Sequence, residues 1–464
     1  MLNQELRIKV DRLWEAFRKK GITNPLKVVE QITYMLFIQS MEGENFKKEL
    51  YIPEICRWSV FSKYPREEMF QIVVGEIFPF IQRRDSVMTE LMRDAVFEIP
   101  EPNLLGEVVE FLENLDLQTN KTKVNFYEYL LLKLSKSEAN YGQFYTPKHV
   151  VNMIVEMMEP ALGELILDPA CGTGGFLTAA ANFMREKSEE KVSFDNETFT
   201  GLDIDSSMLK ISTINLLVHD IAYPNIQYID ALSREFKMVE QYDLVLTNPP
   251  FSGILDIDGI HPCFLKNITK TRRTELLFLA LTLRVLRDGG RCAIIIPDGV
   301  LHRDSYAHIE TRRFLVEENC LEAVVALPVG VFKPYASIST SILIFRKKGP
   351  TDKVWYYEMT SDGFTLDDKR NPSKDSDLKD VVTSWLRCKE EKNLEPKNDD
   401  KWFWVDKDQI RENEWNLSIN QYKKIEYKET LYDPPLVILD RIRKVEEEII
   451  DIIADLRGVL DGGE

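Results

Sequence analysis

The residues best suited to chemistry are Asn248, Pro249, Pro250 and Phe251, which follow the apolar run Asp243-Leu-Val-Leu-Thr. Neither proline can donate to a sheet ladder, and each biases the residue before it toward extended geometry. The backbone at Asn248 and Pro249 is therefore expected to lie open at the C-terminal end of a strand, where open α/β sheets hold their ligands. An amide side chain, a free carbonyl and an aromatic ring meet there. Together they could hold a planar ring that carries an amino group, accepting its hydrogens and stacking on its face.

Three more strand ends carry ligand-like residues. Leu165-Ile-Leu-Asp168 reads as a short buried strand. Pro169-Ala-Cys-Gly172-Thr173-Gly174-Gly175 follows it and opens a helical run through Phe183. Such a glycine turn lets a ligand approach the backbone closely, although GxGxxG spacing is absent. Thr198-Phe-Thr-Gly201-Leu-Asp203 ends in an acid where a ribose diol is normally caught. Asp203 is preferred over Asp205, which reads as the cap of a helix from Ser206 to Val218. At the third tip, Asp230 could accept from an adenine amino group. Upstream, Asn140-Tyr-Gly-Gln-Phe-Tyr-Thr-Pro147 leads into a helix from Lys148 to Glu159, with Thr146 as N-cap and Pro147 at N1. That N-terminus either receives a carboxylate or simply opens a domain; His149 reads as packing. Strand tips separated by helical runs are the mark of a doubly wound sheet with its site along one edge.

The elements that must position these tips differ in texture. Residues 1 to about 137 read as helices: Leu13, Phe17, Val28, Ile32, Met35 and Leu36 recur at helical spacing, and Gly21 to Pro25 marks a break. Ala95–Leu117 and Asn125–Ser135 read the same way. Thr351–Lys401 is charged and punctuated by Pro, Asn and Asp, with one expected strand at Val354–Met359. After Pro434-Pro435, Ile438, Ile442, Val445, Ile449, Ile452, Leu456 and Val459 form a heptad seam, which docks either on its own domain or on a partner helix.

A chain of 464 residues suggests two or three units. No run approaches the roughly 18 apolar residues of a membrane span, and the charged amino terminus lacks a secretory apolar region. Six scattered cysteines lack metal-ligand spacing, so no metal or disulfide framework is expected and a reducing cytoplasm fits. The net charge of −17 argues against a chain that grips DNA unaided, since phosphate contacts dominate such affinity.

Taken together, Gly142-Gln-Phe-Tyr-Thr-Pro147, Asp168-Pro-Ala-Cys-Gly-Thr-Gly-Gly-Phe176, Gly201-Leu-Asp203 and Asn248-Pro-Pro-Phe251 resemble the amino-group DNA methyltransferases, and more narrowly the modification subunits of type I restriction-modification systems. The likeness continues through Glu275–Leu279, Gly289–Leu301 and Leu327–Tyr335 to Trp415–Tyr422, in colinear order. It implies a Rossmann-like α/β sheet dependent on S-adenosylmethionine, with an N-terminal α-helical domain (1–137), a catalytic domain (138–350), a peripheral extension (351–433) and a C-terminal heptad helix (434–464).

By this resemblance Gln143, Phe144, Tyr145, Thr146, Pro147, Lys148, Asp168, Gly172, Thr173, Gly174, Gly175, Asp203 and Asp230 hold the cofactor, and Asn248 to Phe251 are catalytic. Asp203 stands where many relatives carry Glu, and Phe251 where many carry Tyr. The implied partners are double-stranded DNA, a specificity subunit bound by two copies of this chain, and a restriction subunit.

In such a site Asn248 and Pro249 would accept the two hydrogens of an adenine N6, while Phe251 would stack on the flipped base. Pro262-Cys263 looks like a nucleophile motif, but its surroundings do not match the cytosine-C5 enzymes. Phe332 and Tyr335 lie in a loop that could close over the base. The segment Ser252–Thr274, with Lys266, Lys270, Arg272 and Arg273, is either a solvated loop or a DNA-phosphate contact. Methylation of RNA or of a protein amide, and a non-enzymatic assembly role, are the competing readings.

Overall fold

Helix α1 (Gln4–Lys19) buries Val10, Leu13, Trp14 and Phe17, one face at spacings of three and four. Gly21, at φ +93°, breaks the chain, and Asn24 then caps α2 (Pro25–Ser40) by accepting from the Leu26 N–H at 2.9 Å, with Pro25 at N1. The run Ala95–Leu117 is helical only as α3 (Pro102–Asn114). Pro100 and Pro102 each disfavour helical geometry in the residue before them, and Glu101 is accordingly extended. Helix α4 (Asn120–Ser135) completes the head.

The sheet begins with β1 (Ile166–Asp168), β2 (Phe199–Asp203), β3 (Asn225–Tyr228), β4 (Tyr242–Thr247) and β5 (Leu286–Pro297), all parallel to their neighbours in this set. Beyond β6 (Cys320–Ala326), β7 (Thr340–Arg346) inserts between β5 and β6, antiparallel to both. The charged stretch after residue 350 supplies more than one strand. β8 (Lys353–Glu358) pairs with β6, β9 (Asp362–Phe364) pairs with β10 (Pro372–Ser376), and β11 (Trp402–Asp406) pairs with β8. Charges fill the connections and the exposed strand β10, while Trp355 and Trp402 are fully buried.

The resulting nine-stranded order is β11-β8-β6-β7-β5-β4-β1-β2-β3. Its direction reverses at β1, which lies between β4 and β2, so a crevice is expected where β1 and β4 end. Helices α5 (Lys148–Met158), α6 (Gly175–Lys187) and α10 (Leu378–Glu390) share one core with alternate sheet residues such as Leu244, Leu246, Ala293 and Ile295. α8 (Thr274–Val285) packs on β5 and α9 (Tyr306–Glu317) on β6.

α7 (Ser206–Val218) joins the two cores. Leu209 and Leu216 belong to the sheet side, and Met208, Ile211, Ile214 and Val218 to the helical head. Tyr127 of α4 ties the head down by donating to the Ile211 carbonyl at 3.0 Å.

The structure, a computed structural model, describes residues 4–43, 51–83, 91–115, 120–136, 145–190, 192–251, 253–256, 258–264, 271–334, 336–391, 394–397, 400–423 and 435–461. They divide into two units, Met1–Gln421 and Tyr422–Glu464. The second contains α11 (Pro435–Asp461), on which Ile438, Ile442, Val445, Ile449, Ile452 and Leu456 are exposed, as are Leu436, Leu439 and Ile450. No helix of the described residues is long and apolar enough to cross a membrane.

Candidate active site

The tip of β1 is built to hold a shape. Asp168 is buried and accepts from the Ala170 N–H at 3.2 Å. Burial pushes its carboxyl up to about 7, and the nearby Asp203 carboxylate adds to the effect. The turn that follows needs glycine twice. Gly172 has φ +49°, and a Cβ there would meet nothing within 4 Å. Gly174 has φ +75°, and a Cβ there would lie 2.7 Å from Leu216 Cδ1. Gly174 caps α6, so Gly175 is its first residue, and a Cβ on Gly175 would also meet open space.

Asp203, at the tip of β2, is tied to this turn. Its Oδ2 accepts from the Gly172 N–H and its Oδ1 from the Asp205 N–H, both at 2.9 Å. Burial raises its pKa, and those two N–H groups pull it back down. Both oxygens keep further lone pairs for a ligand hydroxyl. Asp205 caps α7, accepting from the Ser207 and Met208 N–H groups. Asp230 is exposed two residues beyond β3, in a turn where it accepts from the Leu232 N–H at 3.0 Å. Two apolar side chains that the sequence reading did not single out flank these acids: Ile204 is 64% exposed and Tyr228, paired in register with Asp203, is 67% exposed.

The tip of β4 is different. Asn248 Nδ2 donates to Thr146 Oγ1 at 2.7 Å, while Asn248 Oδ1 is buried with no hydrogen-bond partner among the described residues. Pro249 is buried and Pro250 exposed. The Phe251 ring is 4% exposed and meets Phe332 edge-to-face, with centroids 5.6 Å apart.

Thr146 is therefore not the expected N-cap. Pro147 occupies that position, its carbonyl accepts from the Val150 and Val151 N–H groups, and the Thr146 hydroxyl is free to meet Asn248 because it does not turn back onto the helix. Lys148 points toward the helical head and pairs with Glu128, whose Oε1 is also 3.5 Å from His219 Nε2. Those three residues line a small cavity together with Tyr145, Thr146, Thr173, Gly175 and Asn215. His149 is a structural tie, its Nε2 2.8 Å from Asp362 Oδ2.

Arg272 and Arg273 are exposed. Arg272 Nε donates to the Leu255 carbonyl at 2.7 Å, and Arg273 lies 3.6 Å from Glu275. Arg303, just past β5, is exposed as well, next to the exposed His302. Burial first, and then Arg273, Arg312, Arg303 and His302, hold the His308 imidazole down at about 4. Burial raises the Cys263 thiol, the opposite of what an attacking thiolate needs. Gln143, Phe144, Lys266, Lys270 and Tyr335 lie outside the described residues.

Comparison with known proteins gives a consistent picture. Residues 121–430 match the family model described as N-6 DNA Methylase, and residues 6–112 match an HsdM N-terminal domain. The chain is 30% identical to the methylase subunit of the type I restriction enzyme EcoEI from Escherichia coli, over 97% of this chain and 96% of that one. It is similar to a solved chain from work on complex assembly and conformational transition of a type I R-M system (25% identity, 99% of both chains, TM-score 0.76). It also resembles a modification subunit of a putative type I restriction enzyme from Vibrio vulnificus (25% identity, 88% of this chain and 93% of that one, TM-score 0.67).

Proposed function

The chain belongs to the N-6 DNA methylase family, as a methylase subunit of the type I restriction class, and from that premise we propose that it moves a methyl group from S-adenosylmethionine to N6 of an adenine flipped out of duplex DNA. The observation that carries this reading is Asn248 Oδ1, buried without a hydrogen-bond partner among the described residues. A buried acceptor left unmatched costs about 1–3 kcal/mol. An incoming amino group would remove that cost at the place where its nitrogen must react.

When bound, the cofactor supplies an activated methyl on a positively charged sulfur. The turn fits such a group: open space stands over Gly172 and Gly175, Asp203 can accept from a ribose, and Ile204 and Tyr228 offer apolar surface for a purine. Asn248 Oδ1 and the Pro249 carbonyl would each accept one N6 hydrogen, drawing the nitrogen lone pair out of conjugation and stabilising the positive charge that develops there. That lone pair would form the new N–C bond as the methyl–sulfur bond breaks and its electron pair stays on sulfur as a neutral thioether, and one of the two hydrogens would leave as a proton to water. Phe251 and Phe332 form the aromatic wall of the base site; stacking requires their edge-to-face contact to open.

The surface around Arg272, Arg273, His302 and Arg303 would receive DNA phosphates. The net charge of −17 leaves most of the DNA grip to a specificity subunit, which the exposed stripe of α11 would bind, with two copies of this chain per specificity subunit and a restriction subunit in the full assembly. The complex would work in the cytoplasm.

The test is transfer of labelled methyl to genomic DNA from a strain lacking the system. The chain with its specificity subunit should label N6 of adenine at discrete sites, and the chain alone should not. Site-specific labelling by the chain alone would remove the partner from this reading.

A further inference from the structure

Asn248 and Thr146 are 102 positions apart in sequence, yet the Asn248 amide nitrogen donates to the Thr146 hydroxyl at 2.7 Å. We propose that Thr146 is a positioning residue: its hydroxyl sets which way the Asn248 amide faces, so that Oδ1 rather than the NH₂ group is presented to the substrate amine. The inference rests on the reading of Asn248 as the amino-group acceptor.

An Asn amide turns about a broad, roughly two-fold torsion, so its two faces need an external reason to differ. An amino group delivers hydrogens only. It is matched when Oδ1 faces it and meets another donor when Nδ2 does. In the matched orientation Nδ2 needs an acceptor of its own, and Thr146 Oγ1 is the one it has.

Thr146 is well suited to hold still. Pro147 restricts the backbone of the residue before it, and a β-branched side chain has few rotamers. Thr146 also lines the small cavity that Thr173 and Gly175 line.

The complex with its specificity subunit, given labelled cofactor and genomic DNA from a strain lacking the system, provides the test. Thr146→Val keeps the shape and removes the hydroxyl; kcat should fall tenfold or more at saturating S-adenosylmethionine. Thr146→Ser should restore kcat to within threefold of wild type.

Wild-type kcat in Thr146→Val overturns the proposal. So does a loss confined to cofactor binding, or a Ser variant as slow as Val. Should the Val variant melt early, Thr146→Ala is read against Ser in the same way. A wild-type complex that labels no adenine overturns the proposed function itself, and the Thr146 role with it. An active wild type with an equally active Thr146→Val and Thr146→Ala overturns the Thr146 role alone.

Discussion

The tips of β1 and β2 and the tip of β4 sit at one edge of one sheet, yet they handle polar groups in opposite ways. At the first pair, Asp168 accepts from Ala170 and Asp203 from Gly172 and Asp205, so both strand-tip carboxylates are braced by backbone N–H groups before any ligand arrives. Behind the turn, Asn215 shares the half-satisfied state of Asn248, with its Nδ2 on the Thr173 carbonyl at 2.8 Å and its Oδ1 buried without a partner among the described residues. At β4 the Asn248 amide is half satisfied, with its nitrogen held and its oxygen buried and unmatched. Satisfied groups keep a shape, whereas an unmatched buried acceptor raises the energy of the empty site and selects what may enter it. The difference separates holding from reacting.

The sharpest way to break this comparison is Asn248→Ala. If the unmatched oxygen is the reacting acceptor, kcat for methyl transfer by the complex should fall about 10²–10³-fold, the range for losing one preorganised polar group, with cofactor affinity unchanged. Turnover near wild type would make the two tips alike in function.

Next in size are the glycines. Gly174→Ala forces a side chain into φ +75° and against Leu216, and should lower unfolding stability by about 2–4 kcal/mol in urea. Gly172→Ala meets no neighbour, so only backbone strain of about 1–2 kcal/mol applies. Its methyl would project into the cradle, so calorimetry should find cofactor binding weakened more than stability. Equal effects of the two variants on stability would contradict the open space over Gly172.

The last effect is spread over a range of pH and concerns Asp168. Its carboxyl titrates near 7 in the fold against an ordinary value of 3.8, so between those values the folded chain binds more protons than the unfolded one. Its contribution to stability therefore falls as pH rises from about 4 to about 7 and is level above that. Asp168→Asn should flatten this part of the slope in denaturant titrations. An unchanged slope would show that the β1 tip is less dry than its burial implies.

Much of this site was legible in the sequence because strand-tip chemistry is local. Asp168, the glycine turn, Asp203 and Asn248 each stand at the end of an apolar run, and the Asp205 cap and the span of α7 follow from short-range rules. What escaped was set at long range. Thr146 satisfies the local pattern for a helix cap, but its hydroxyl is claimed by an amide 102 residues away. After residue 350 the strand expected at Val354–Met359 appears as β8, while β9, β10 and β11 were masked by the charges around them, and only pairing with β8 shows that Trp402 faces a core. The insertion of β7 against the sheet's direction leaves no trace in periodicity.

Helix α11 has a consequence for solubility. Its 27 residues span about 40 Å, and exposed Ile, Leu and Val side chains recur on it from Leu436 to Leu456. A copy with those side chains uncovered presents a long adhesive strip, which favours self-association and capture by quality-control machinery. The net charge of −17 provides some mutual repulsion, but screening confines it to about 8 Å at physiological salt. Covering that strip thus becomes a condition for keeping the chain soluble, independent of whether its catalytic site is intact.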